Sequence, residues 1–283
     1  MPHQRASPLT LAAGSTWQPR KILRVIEQFT TSTRTVKVET DEGIGFIKGL
    51  GNPSGPDSLA CELIAGELAS AFGLRTPEFA IVEVGALSIP MLGVGDMLRG
   101  PAFISRELSG ETSDGSQVFL NRLDDPSVAA MLVVFDTLIR NHDRCPPDDG
   151  FDEPNRDNLF FTPKGRKFEM VAFDHSHCFI DTALEDIAGG LANLVAEERV
   201  FGLFPEFRPH LSEPAVLAAI ARLDLIQEPL VSEALASIPP AWGVIGTTKD
   251  AWATLILERA RRLPHFLVGK ILPQHRLGFE EEE

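Results

Sequence analysis

Residues 134–144 read VFDTLIRNHDR, an apolar run that ends in the polar cluster Asn141, His142, Asp143 and Arg144. A polar segment follows, CPPDDGFDEPNRDN over 145–158, then the apolar LFF of 159–161, and shortly after it KFEMVAFDHSHCF over 167–179. The first piece reads as a buried helix that runs out at Arg140 or Asn141. The second reads as a strand entered from Asn158, and the third as a strand that delivers Asp174 into a His-Ser-His turn. Asp143, Asn158 and Asp174 thus stand at the ends of regular elements, where side chains can converge. One carboxylate to orient a hydroxyl, with an amide oxygen and a second carboxylate for a divalent ion, is the donor set that phosphoryl transfer requires. Asn155 rivals Asn158 for the amide. An Asp behind a buried strand needs a partner, and a cation would serve Asp174. Arg144 is read as a neutraliser of Asp143, a phosphate ligand, or a surface ion pair with Asp143. His142, His175 and His177 lack the thiol or Glu spacing that would complete a zinc site.

Upstream, residues 1–19 are rich in Pro, Ser, Thr and Ala and are expected to form a flexible arm docking through Leu9, Leu11 or Trp17. KILRVIEQF over 21–29 alternates loosely, as a strand or a short helix. Val36 and Val38 alternate with polar neighbours, Asp41-Glu42-Gly43 is a hairpin turn, and GFIK over 45–48 is the return strand. Ser58 is the expected cap of a helix whose Leu59, Leu63, Ile64, Leu68 and Phe72 share one face, with Gly73 at its C-cap. Phe79 to Val84 is a strand, 85–102 resists assignment, and 103–108 reads as a strand entering a connector. Pro126 is placed in the first turn of the buried helix. Helices are expected over 191–200, 214–223, 230–238 and 251–263, the last capped by Asp250. The layout is α+β: a strand-rich first part with one helix, then a helical second part.

Two further positions carry chemistry. A strand Lys48 followed by Glu62 on the next helix can form an ion pair that holds the amine over phosphates, with Glu67 as rival partner. The hydroxyl-rich turn Thr30-Thr31-Ser32-Thr33-Arg34 is small enough to pack near phosphate, although it has none of the glycine that lets backbone N–H groups approach closely.

The bulk numbers exclude other classes. A net charge of −14 argues against a nucleic-acid binder, which needs a basic face. The same charge disfavours docking on an anionic membrane. The longest wholly apolar run, 128–135, is too short to cross a bilayer, and no leader peptide is expected. Cys61, Cys145 and Cys178 read as free thiols of a reducing, cytoplasmic compartment.

Across residues 30–180 the chain resembles the HipA-like kinases, a branch of the protein-kinase-like and phosphatidylinositol-kinase-like superfamily. The motifs, in the family's order, are GFIKG, CELIAGELASAFGLRTPEF, FISREL, FDTLIRNHDR, NLFF and FDHSHCF. The resemblance implies a two-lobed protein-kinase-like fold. After the arm come a small β-rich N-lobe over 20–108, a larger helical C-lobe over 109–278 and an acidic tail at 279–283. It implies an ATP- and Mg2+-dependent phosphotransferase, most simply a serine/threonine protein kinase with a protein hydroxyl as acceptor. Ser32 and Thr33 would lie in the phosphate loop, Lys48 would contact the phosphates, and Glu62 would position it. The backbone at Arg106, Glu107 and Leu108 would face adenine. Asp143 would be the catalytic base, and Asn158 with Asp174 would hold magnesium. Some relatives phosphorylate a serine of this loop, which makes Ser32 the corresponding candidate. Two departures are plain: the insert between Asp143 and Asn158 is longer than in kinase catalytic loops, and the phosphate loop has no glycine. The alternatives are a nucleotide-binding pseudokinase or regulatory module, and a small-molecule or lipid kinase on the same scaffold. A regulatory partner protein is compatible with each.

Overall fold

The computed structural model of the chain describes residues 10–147, 153–179 and 187–272. β1 (Ile22–Gln28), β2 (Val36–Thr40) and β3 (Gly43–Lys48) form an antiparallel meander, and α1 (Asp57–Phe72) follows. Next come β4 (Phe79–Val84), the short pair β5 (Pro90–Met91) and β6 (Gly95–Asp96), and β7 (Gly100–Arg106). β7 inserts between β3 and β4, giving a five-stranded sheet of order β1-β2-β3-β7-β4. The alternation of strand side chains splits the sheet into two faces. Val36, Val38, Ile47, Val82, Ala102 and Ile104 pack with Trp17, Met91 and Met97 on one face. Phe46, Lys48, Phe79, Phe103 and Ser105 point the other way and line a cleft.

The second part opens with β8 (Glu111–Thr112) and α2 (Val128–Ile139), followed by the hairpin β9 (Leu159–Lys164) and β10 (Lys167–Ala172). Then come α3 (Ile187–Ala196), α4 (Glu213–Ala221), α5 (Glu228–Ala236), α6 (Gly246–Arg262) and α7 (Leu267–Ile271). Every α2 residue from 129 to 139 is buried, so α2 is the axis of the helical core. A helix that is apolar on nearly every side has to sit there. α4 and α6 pack against it.

The helix expected to have one apolar face is buried on nearly all sides. α1 lies between β7 of the sheet and α5 of the helical part, so Ala60, Cys61, Ala65 and Ala69 are covered as fully as Leu63 and Leu68. Gly66 makes this approach possible, since a Cβ there would sit 2.9 Å from the Phe79 ring. Gly73 ends α1 at φ +88, as a left-handed cap requires.

Several boundaries move. The 21–29 segment is a strand. α1 begins at Asp57 behind Pro56, and the Ser58 hydroxyl donates instead to Gly55 O at 2.7 Å, tightening the preceding loop. Pro126 precedes α2, whose entry is shaped by Asp125 accepting from the Ser127 N–H and hydroxyl. α6 starts at Gly246, so Asp250 lies inside it and caps nothing. Residues 10–19 lie along the sheet. Trp17 is buried and donates to Glu42 O at 2.9 Å, and Leu11 packs on the core. Leu9 and the tail at 279–283 lie outside the described residues.

Candidate active site

The β9–β10 hairpin sets the first pair of site residues. Its register pairs Leu159 with Ala172, so Asn158, just before β9, and Asp174, just beyond β10, emerge at the same end. Both line a cleft of about 510 Å³ between the sheet and the helical part, within the size range of small-molecule sites. The Asn158 amide donates to Asp143 Oδ2 at 2.8 Å, which leaves its carbonyl oxygen for another partner. The Asp143 N–H donates to Asn141 Oδ1 at 3.2 Å. Neither Asn155 nor Asp143 is on the cleft wall; the Asn155 N–H donates to Arg144 O at 2.9 Å, whereas Asp143 is bonded to Asn158, which is on it.

Lys48 comes from the opposite wall, at the end of β3. Its ammonium donates to Glu62 Oε1, to Asp174 Oδ1 at 2.9 Å and to Ser176 Oγ at 2.9 Å. Burial works against the charge on Lys48, yet Asp174 and then Glu62 outweigh it and raise the amine above its ordinary range. Burial would likewise raise Asp174, but the Lys48 charge and the bonds from Lys48 and Ser176 hold its carboxyl well below the usual range. Burial pushes the Glu62 carboxyl up, and Lys48 offsets only part of this. Glu62 also accepts from the His175 N–H at 3.1 Å, tying α1 to the turn that carries Asp174. Glu67 is not the partner of Lys48; it accepts from the N–H groups of Ala12 at 2.6 Å and Ala13 at 2.8 Å. Asp174 has φ +55, a conformation that a non-glycine residue holds only when its surroundings enforce it.

The residues of the expected phosphate loop divide. Thr31 and Thr35 lie on the cleft wall. Thr33 is buried, with its hydroxyl 3.2 Å from that of Thr35, and the Ser32 hydroxyl meets His177 Nε2 at 2.8 Å. At the connector, Arg106 and Leu108 line the cleft and Glu107 does not. The Glu107 carboxylate pairs with Lys37, and its N–H donates to Ile44 O at 3.0 Å. The wall also carries six phenylalanines, Phe29, Phe46, Phe79, Phe103, Phe160 and Phe173, which present flat apolar surface to the cleft.

Arg144 turns away from Asp143. It pairs with the fully buried Asp136 of α2 and donates to Asn158 O at 3.0 Å and Phe173 O at 2.5 Å. It therefore staples the two strands of the hairpin together at the end where the two site residues emerge. Sequence reasoning misses Asp136 and Ser176; a carboxylate inside an otherwise apolar helix is the available signal for Asp136. The histidines disperse. His175 is buried, its imidazole held well below the ordinary value by burial and by Arg144, while His142 stacks edge-on against Phe201.

A family model for HipA-like kinases matches residues 20–192. The chain belongs to the HipA-like kinase family. Among solved structures this HipA-like kinase is similar to the proinflammatory kinase CtkA of Helicobacter pylori, at 13% identity and a TM-score of 0.57, covering 91% of this chain and 99% of that one. That likeness shows the fold, which is protein-kinase-like and α+β. The PknI kinase domain of Mycobacterium tuberculosis aligns at 15% identity over 90% of this chain and 99% of that one, with a TM-score of only 0.26. No curated protein sequence matches the chain. Family and fold together make this HipA-like kinase a phosphotransferase. Among the described residues no helix is long and apolar enough to cross a membrane.

Proposed function

We propose that this HipA-like kinase transfers the γ-phosphoryl group of ATP to a hydroxyl, most simply a serine or threonine of a protein, with Mg2+ as the divalent ion. The observation that carries the reading is the Lys48 ammonium joined to Glu62 and Asp174, lining one cleft with an Asn158 that is bonded to Asp143. The donor set fits magnesium. Asp174 and Asn158 each keep an oxygen, and among the described residues no cluster of three or more His, Cys, Asp or Glu could hold a metal alone. Two protein oxygens completed by phosphates and water are the usual magnesium arrangement. When bound, the ion supplies charge neutralisation at the phosphates.

The chain's own residues do the rest. Lys48 holds phosphate oxygens, and Glu62 keeps Lys48 aimed into the cleft. The phenylalanine wall takes the base, with the backbone at Arg106 and Leu108 along its edge. Asp143 Oδ1 accepts the proton of the incoming hydroxyl while Oδ2 stays on the Asn158 amide, so the carboxylate keeps its orientation. Replacing Asp143 by Asn should lower transfer of radiolabelled phosphate by about 10²–10⁴-fold while leaving the melting temperature near that of the wild type. Equal turnover in the two proteins refutes the assignment. The glycine-free loop, with Ser32 turned onto His177, favours a second reading, a module that binds nucleotide without transfer. A melting shift with ATP and Mg2+ in a wild-type protein that labels no acceptor would support it.

A further inference from the structure

Ser176 has no counterpart in the donor set read from the sequence, yet it sits at the centre of the site. Its Oγ lies 2.9 Å from Lys48 Nζ, 2.8 Å from Glu62 Oε1 and 2.9 Å from Asp174 Oδ1, and the residue is 5% exposed. We propose that Ser176 is a positioning residue whose hydroxyl fixes the Asp174 carboxylate for a divalent cation by bridging it to Lys48 and Glu62. The inference rests on the metal-binding role given to Asp174 above.

The chemistry of the hydroxyl makes the argument. An ammonium only donates and an ionised carboxylate only accepts, whereas a hydroxyl carries one proton and two lone pairs. Ser176 Oγ therefore accepts from Lys48 and offers its single proton to Glu62 or Asp174. Both carboxylates already share the one ammonium, so the cluster has two negative charges for one positive. A neutral donor between them is what lets both remain close. The bonds from Ser176 and Lys48 both fall on Asp174 Oδ1, so a cation engaged at Oδ2 leaves Oδ1 to keep the Ser176 proton, while Glu62 Oε1 stands 2.8 Å from the same hydroxyl. The hydroxyl thus stays bonded in either state with no partner having to move. Backbone geometry points the same way. Asp174 holds φ +55, and the Ser176 hydroxyl, two residues on, bonds the carboxylate that this conformation carries. A side chain that orients a metal ligand typically changes metal affinity about 10–100-fold when removed.

The test measures Mn2+ binding by electron paramagnetic resonance, with a non-hydrolysable ATP analogue present. It is run well below the melting temperature on wild type, Ser176→Ala, Ser176→Cys, Ser176→Thr and Asp174→Asn, and phosphate transfer is titrated against metal in parallel. Ser176→Ala should bind Mn2+ about 10–100-fold more weakly and should need correspondingly more metal for half-maximal transfer. Ser176→Thr, which keeps the hydroxyl, should recover most of the affinity. Ser176→Cys keeps the volume with a weak donor and should behave as Ser176→Ala, so it serves if the alanine variant does not fold. Wild-type affinity in both Ser176→Ala and Ser176→Cys, with loss only in Asp174→Asn, overturns the role of Ser176. Undiminished binding in Asp174→Asn instead overturns the reading of the metal site itself, and the proposal with it.

Discussion

Lys48 is the sharpest place to test the arrangement. Among the described residues it is the only Lys or Arg paired with Glu62 and Asp174, whose side chains are 4% and 22% exposed against 9% for its own. Lys48→Met keeps the length of the side chain and removes the charge, leaving two carboxylates facing each other. Removing one partner of a buried ion pair costs about 3–5 kcal/mol, and the partial exposure of Asp174 puts the expected loss at about 3 kcal/mol. For a chain of this size that is about 6–12 °C in melting temperature. Lys48→Met/Glu62→Gln removes one of the stranded charges and should recover at least half of the loss while still transferring no phosphate. The pH dependence has a definite sign. In the wild type Asp174 is held below the ordinary carboxylate range, so its contribution is present above that range and fades only as pH falls through it. Without Lys48, burial raises both carboxyls. The folded state then binds more protons than the unfolded one, and stability falls as pH rises. The gap between wild type and Lys48→Met should therefore narrow from pH 7.5 to pH 5. Calorimetric melts check this. A variant within about 2 °C of wild type at pH 7.5, or a gap that does not change with pH, refutes the reasoning.

Two stability predictions concern the supports of the site. Arg144→Met strands the fully buried Asp136 and releases the carbonyls of Asn158 and Phe173. It should cost about 3–5 kcal/mol, read from the shift of the urea midpoint, with nucleotide affinity reduced as well. Trp17→Ala empties the pocket that residues 10–19 fill against the sheet and breaks the bond to Glu42 O. It should cost about 3–5 kcal/mol, and a loss under about 1 kcal/mol would show that the segment's docking contributes little.

The parts of the fold legible in the sequence were those written in short-range pattern. Val36 and Val38 alternate, the Asp41-Glu42-Gly43 turn follows, and the largely apolar stretch 128–139 stops abruptly at polar residues. Asp143, Asn158 and Asp174 stood out for the same reason, as polar groups set against apolar runs. What the sequence hid were directions fixed by distant partners. Lys48 meets Asp174 across 126 positions and Ser176 across 128, and no local pattern encodes which hydroxyl faces an ammonium. Arg144 adjoins Asp143 in the chain, yet its guanidinium follows Asp136 one helix back, because burial leaves a guanidinium no water to fall back on. α1 concealed its burial in the same way. Its alanines and Cys61 carry no amphipathic signal, and the packing of the helical part, α5 and α2 among it, on its second side makes them core.

On the proposed function, the geometry around Lys48 should also couple two ligands. An ammonium has three protons, and here they go to Glu62, Asp174 and Ser176. A phosphate oxygen can reach Lys48 only if one of these bonds is released. Glu62 is held a second time by the His175 N–H, and Ser176 is held by Glu62, so both resist displacement. Asp174 is the exchangeable partner, because a divalent cation can replace the ammonium as its counter-charge. Metal at Asp174 and phosphate at Lys48 should therefore bind cooperatively, each releasing the group the other needs, and the coupling must be reciprocal. Isothermal titration should find a non-hydrolysable ATP analogue binding at least about 5-fold more tightly with Mg2+ than without it, the low end of such couplings. In Asp174→Asn the bond to Lys48 loses its charge, so the metal-free affinity should rise towards the metal-loaded one. Metal-free affinity that is unchanged in Asp174→Asn would mean that Lys48 receives phosphate without surrendering Asp174, and the exchange at the ammonium would have to be abandoned.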